Sequence, residues 1–293
     1  MRLFRPVSPV DALFLAAVAL LVGATVGLLV GRHRVATRVG VPAWALFTVF
    51  WVTVAVGYLL DARYFLGSIG VVTVVVSGYA GVLLARGRRE GERVTVAFTV
   101  MGLLFVPYEW VEPIHRLAID AVAAGTALGL RAVGFSPILL SGPDGYTNVV
   151  AFPGMPLSHS IGIVSACSGI SAIALFVGLI AATDASPRRR LVAGAGIAAL
   201  VYALNLIRTT FVAGALAGEW FGFAAGPVDA VYGVTSPPLV SYYVAEYVIA
   251  QVLVVVVLLG VYAAFVRCFP ELQDLVEGLI GAFRTDVRRL AQR

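Results

Sequence analysis

The sequence predicts an all-α membrane protein, a polytopic helical bundle with about seven to eight transmembrane helices. Three observations carry that reading. Sixty per cent of the 293 residues are hydrophobic, only 13% are charged, and the mean hydropathy is +0.95. A soluble fold cannot enclose that much apolar surface. The apolar residues also fall into runs close to the roughly 20 residues that a helix needs to cross the hydrocarbon core. Finally, all 21 basic residues are arginine, and most lie in short stretches between those runs. That placement suits membrane orientation, so the net charge of +5 is not a nucleic-acid footprint.

The first run, Val10 to Gly31, follows a short N-terminal stretch and lacks a small-residue cleavage site. It is expected to be a retained helix rather than a signal peptide. Spans are expected next at Val41 to Leu60, Phe65 to Ala85 and Val94 to Tyr108. The segment His115 to Gly134 is apolar but carries His115, Arg116, Asp120 and Arg131. It reads as an eighth span facing the bundle interior or as a helix lying at the interface. Ser160 to Thr183, Leu191 to Ala217 and Leu239 to Val266 complete the set. Strands, internal repeats and low-complexity tracts are not expected. The tail from Glu271 to Arg293 mixes apolar and charged residues at helical spacing. It predicts an amphipathic helix, a solvated anchor on the cytoplasmic surface. Three regions follow: N-terminal membrane helices over 1–112, a core with outer loops over 113–266, and the tail over 267–293.

Orientation is read from the arginines. The loop with Arg32, Arg34 and Arg38, the stretch Arg86 to Arg93, the triplet Arg188 to Arg190 and the tail are basic. No basic residue occurs between Ala132 and Pro187 or between Thr209 and Val266. The connections Phe135 to His159 and Gly218 to Pro238 are therefore expected outside. If every basic loop is inside, seven spans place the N-terminus outside, against the preference of Arg2 and Arg5. An eighth span requires one basic loop to break the rule.

The chemistry centres on the stretch S-A-C-S-G-I around Cys167, where every residue beside the sulfur is small. Cys167 and Cys268 lie near opposite ends of their runs and are expected on opposite membrane faces, unpaired. On a helix entering at Ser160, Cys167 would sit about two turns below the outer surface. The next run contains N-L-I-R-T-T-F-V-A, with Arg208 at a matching depth. An arginine there costs at least ~2.5 kcal/mol on insertion scales unless it is paired or wet. A cation beside a thiol favours the thiolate, which is the nucleophilic form. His159 is a candidate accessory base, although eight residues separate it from Cys167. Glu246 is a candidate partner for Arg208. Asp144 and Asn148, in an outer loop, are candidates for peptide or ion binding, with D-G first of all a turn signal. No metal-ligand spacing and no phosphate-cradling loop is present, so no metal or cofactor is expected.

A-C-S-G-I on one helix, followed by N-L-I-R-T-T-F-V-A on the next, resembles the exosortase and archaeosortase family, nearest to its haloarchaeal branch. The resemblance covers about Pro113 to Val266. It implies a membrane cysteine transpeptidase acting near the extracellular face. Its substrates would be surface proteins such as S-layer glycoprotein, bearing a C-terminal sorting signal: a Pro-Gly-Phe motif, a membrane helix and a basic tail. The new C-terminus would pass to a membrane phospholipid. Cys167 matches the nucleophile and Arg208 the first essential arginine. The third family position, an arginine or histidine, aligns with Tyr247 in S-Y-Y-V-A-E-Y-V-I-A-Q. This is a departure, because a phenol carries no positive charge at neutral pH. The alternative is an impaired homologue, or a non-enzymatic membrane protein binding sorting signals or anionic lipid.

Overall fold

The computed structural model describes residue 4 and residues 6–61 and 64–292. Arg2, Arg5 and Arg293, which bear on the expected orientation, lie outside them. The chain is a helical membrane protein, with helices α1 (Pro9–Leu29), α2 (His33–Leu60), α3 (Tyr64–Ala85), α4 (Arg89–Trp110) and α5 (Glu112–Ala132). After a long connection come α6 (Ile170–Ala181), α7 (Pro187–Gly218), α8 (Ala225–Tyr232) and α9 (Pro237–Tyr243). A π-helical turn, Val244–Ile249, joins α9 to α10 (Ala250–Cys268), and α11 (Glu271–Ala291) ends the chain.

Among the described residues, five helices are long and apolar enough to cross a membrane: Pro9–Leu29, His33–Leu60, Leu66–Ala85, Pro187–Gly218 and Pro237–Cys268. The run expected from Val94 belongs to a helix that begins at Arg89, so its first turns are charged. The run expected from Ser160 becomes helical only at Ile170 and keeps 12 helical residues. The chain ahead of it contributes to a small antiparallel sheet that hydropathy did not foresee. Its strands are β1 (Ile138–Leu140), β2 (Val149–Ala151) and β3 (Ile161–Gly162), in the order β1-β2-β3. Isoleucine and valine suit a strand as well as an apolar helix, and apolar run length cannot tell them apart.

The chain divides into two compact units. The first comprises Met1–Val111, Ala174–Ile197 and Phe269–Arg293. Lipid tails are as apolar as leucine, so helices in a membrane are held by close packing and polar contacts rather than by the hydrophobic effect. Both are present. Thr25 and Thr99 share a hydrogen bond of 2.7 Å, and Trp44 Nε1 donates to Thr95 at 3.0 Å. Gly91 lies so near the Leu84 backbone that a Cβ would approach it to 2.4 Å. Arg89 and Arg93 converge on Asp184, Arg86 and Arg88 on Asp286, and Arg189 pairs with Glu271. The tail helix is accordingly not solvated all round: Leu272, Leu275, Ala282 and Asp286 are buried.

The second unit comprises Glu112–Ile173 and Ala198–Cys268. Here α5 meets α7 through Gly125 and Gly129, four residues apart. A Cβ on Gly129 would come within 2.4 Å of Thr210 Oγ1, and one on Gly125 within 2.8 Å of Leu206. Thr126 and Thr209 share a hydrogen bond of 2.7 Å in the same contact. The sheet covers one end of this pair. Val150, Ile163, Phe152 and Tyr146 pack with Ile119, Val122 and Leu130 of α5 and with Ala213 and Leu216 of α7. Arg116 donates to the Gly145 carbonyl, and Asp120 accepts from Thr147 N–H at 2.9 Å. The charges of α5 thus fasten the connection between α5 and α6.

Candidate active site

Cys167 ends a single 3-10 turn, Ser165–Cys167, rather than lying two turns into a helix. Its N–H donates to the Val164 carbonyl at 2.8 Å. Ser168 Oγ closes the turn on the Ser165 carbonyl at 2.7 Å, and Gly169 follows at φ +72°. That left-handed conformation stops any right-handed helix arriving from Ser160, and it suits a residue without a Cβ. A Cβ on Gly169 would reach contact with Asn205, 3.4 Å away. The small residues around the sulfur thus make room for a neighbouring side chain.

That neighbour ties the turn to α7. The Asn205 amide donates to the main-chain carbonyl of Cys167. Arg208 lies three residues later on α7, about 4.5 Å further along and on the same face. Its Nη2 donates to Glu246 Oε1, and both side chains are about four-fifths buried, at 21% and 20% exposure. The partner that a membrane-embedded arginine demands is therefore Glu246, not the thiol. Arg208 Nε is buried and makes no hydrogen bond among the described residues. The half-buried thiol still lies within the fields of both Arg208 and Glu246.

Glu246 and Tyr247 occupy the π-helical turn, a wide turn that is rare in proteins and frequent at functional sites. Glu246 faces Arg208, whereas Tyr247 is 48% exposed and stacks on Tyr243 at 5.3 Å between ring centroids. Tyr232 flanks the same pair, 4.7 Å from Tyr243 and 5.8 Å from Tyr247. The phenol that shares a core with the thiol is that of Tyr242, which packs on the same buried cluster as Cys167.

Not every expected residue joins the site. His159 Nε2 lies 3.2 Å from Ser236 Oγ, and among the described residues it makes no hydrogen bond to Cys167. Asp144 is exposed in the turn that D-G announces. Asn148 is buried and donates to the Ile163 carbonyl at 2.9 Å, closing the sheet. Cys167 and Cys268 are both free thiols. Conversely, the structure brings in Asn205, Tyr242 and the buried His115, none of which the sequence pattern singles out. His115 Nε2 lies 3.3 Å from Ser165 Oγ, at the start of the cysteine turn. Asn205 had a usable signal, because residues three apart on a helix share a face.

The model of the transmembrane exosortase family matches residues 12–242 of this chain. Archaeosortase A of Haloferax volcanii is 34% identical over 264 residues, spanning 85% of this chain and 86% of its own length. Archaeosortase A of Natronomonas pharaonis is 33% identical over 258 residues, spanning 86% and 82% respectively. No solved structure matches the chain.

Proposed function

The chain belongs to the transmembrane exosortase family, and from that footing we propose that it is a membrane cysteine transpeptidase for C-terminal sorting signals. Cys167 is the nucleophile, acting near the extracellular face. Its thiolate attacks the scissile carbonyl of a signal that resembles Pro-Gly-Phe followed by a membrane helix and basic tail. A carbon–sulfur bond forms, the carbon–nitrogen bond breaks, and the signal's membrane helix leaves as an amine carrying the thiol's proton. A hydroxyl or amine of a membrane lipid then attacks the thioester, taking the substrate's new C-terminus and returning the thiol.

The observation that carries this reading is the state of Arg208. One edge of its guanidinium is held by Glu246, while Nε remains a buried donor with no partner among the described residues. It sits one helical turn beyond the asparagine that fixes the cysteine turn. A preorganised donor of this kind, facing an oxyanion that exists only during reaction, supplies about 2.7–4 kcal/mol in comparable sites. Tyr247 supports a second reading. The family position it occupies carries a ring stacked on Tyr243 in place of a cation, as in a homologue that binds signals and turns them over slowly.

The test is expression in a host lacking its own enzyme, with a tagged signal-bearing substrate. The wild-type chain shifts the tag to the lipid-linked form and Cys167→Ala does not. Equal shifts with both would remove the thiol from the mechanism.

A further inference from the structure

We propose that the open edge of β3 is a peptide-binding track, on which the extended part of a substrate adds to the sheet as a fourth strand and is led to Cys167. The inference rests on the transpeptidase reading and adds a binding mode to it. In an antiparallel ladder, alternate residues turn both main-chain polar groups toward the same neighbour. Ile161 pairs with Val150 and Gly162 with Val149, and Ile163 N–H donates to the Asn148 carbonyl at 2.8 Å. Ile161 and Ile163 therefore spend their groups on β2. Gly162 N–H, Gly162 C=O and Val164 N–H point the other way, where the order β1-β2-β3 places no strand.

That side is open. Gly162 has no side chain, so its exposure is exposure of its main chain, and the empty space beside its Cβ position leaves the adjoining face uncovered as well. A glycine within a strand often marks a bulge, a bend or a site where a ligand or another backbone approaches closely. The edge also leads directly to the chemistry, because Cys167 follows Gly162 by five residues. The last three of those residues coil into the 3-10 turn, so the path is shorter than five extended residues. At roughly 3.3 Å per residue, a paired substrate needs about three or four residues to run from the edge to the thiol. The strand is only two residues long, short enough to limit stray pairing when idle. The fitting occupant is an extended peptide, since a lipid offers no regularly spaced amides. Main-chain pairing would hold the segment ahead of the signal whatever its side chains, as in strand addition elsewhere.

The experiment uses full-length protein in lipid nanodiscs and synthetic peptides with an extended segment, a Pro-Gly-Phe motif, an apolar helix and a basic tail. Each peptide carries one N-methylated amide at successive positions ahead of the motif. Binding is measured to Cys167→Ala protein, and processing by the wild-type chain. The expected pattern has a period of two: binding weakens about tenfold or more at alternate amides and less than about twofold between them. Gly162→Pro removes a donor that faces the substrate rather than β2, and it weakens binding of the unmodified peptide. Normal processing with uniform or absent N-methyl sensitivity overturns the track and leaves the transpeptidase reading standing. Alternating binding without any acylation of wild-type Cys167 overturns that reading and leaves the track. An unmodified peptide that neither binds nor reacts overturns both.

Discussion

Arg208 and Glu246 form an ion pair within the second unit, and one nitrogen of the guanidinium is left buried without a partner among the described residues. The pair sets how much positive field reaches Cys167. Converting Glu246 to Gln keeps an acceptor for Nη2 but removes the opposing charge. Alkylation of Cys167 at fixed pH is predicted to accelerate in Glu246→Gln and to slow in Arg208→Gln, because a net cation favours the thiolate. The readout is the rate of labelling by a small haloacetamide, with Cys268 as the internal reference. Rates that move together in the two variants contradict the coupling.

Charge alone does not meet the role assigned to Arg208. Lysine can reach Glu246 as a point charge but cannot present a fork that holds a carboxylate on one edge and a free donor on the other. Arg208→Lys is predicted to lose processing by about a hundredfold or more, the usual cost of one oxyanion donor, while accumulating in the membrane like the wild-type chain. Near-normal processing by Arg208→Lys would show that a generic cation suffices.

Gly169 holds the turn that places the thiol, at φ +72° and in contact with Asn205. Alanine there is strained by about 1–2 kcal/mol in that conformation. Gly169→Ala is predicted to lower processing at least tenfold, with a thermal midpoint only a few degrees below that of the wild-type chain. A midpoint unchanged together with full activity contradicts the need for glycine.

Tyr247 stands where relatives are expected to carry a cation. A phenol imitates a cation's hydrogen bond to an oxyanion or lipid phosphate only in part. Tyr247→Arg is predicted to raise turnover at least tenfold, about 1.4 kcal/mol of barrier, even though it dissolves the stack with Tyr243. Shift of a tagged substrate in a host without its own enzyme measures it. A wild-type chain already as fast as the arginine form makes the tyrosine part of the native mechanism, with Tyr242 and Glu246 the next residues to test.

Much of the molecule is legible in its sequence, for physical reasons that also mark where reading stops. Apolar runs and arginine placement reveal the membrane helices because lipid permits few alternatives. Cys167 stands out because every residue beside it is small, and Arg208 because a charge within an apolar run is costly. The segment from Ser160 to Gly169 is misread as helix because hydropathy weighs Ile161, Ile163 and Val164 equally in strand and helix. Gly169 alone, with its positive φ, decides against it. Glu246 lies 38 residues from Arg208, and only the fold selects it over the thiol as the arginine's partner. The close approach of α5 to α7 was readable in principle from Gly125 and Gly129, spaced as small residues are in packed membrane helices.

The central claim is that Cys167 becomes covalently joined to the substrate, and trapping that species tests it most directly. Wild-type protein is mixed with a sorting-signal peptide in detergent without acceptor lipid, quenched in acid and analysed by intact and peptide mass spectrometry. The account predicts an adduct on Cys167 with the mass of the peptide's N-terminal fragment, released by hydroxylamine and absent in Cys167→Ala. A peptide cleaved with Cys167 unmodified throughout, or an adduct carried by Cys268 instead, would contradict it.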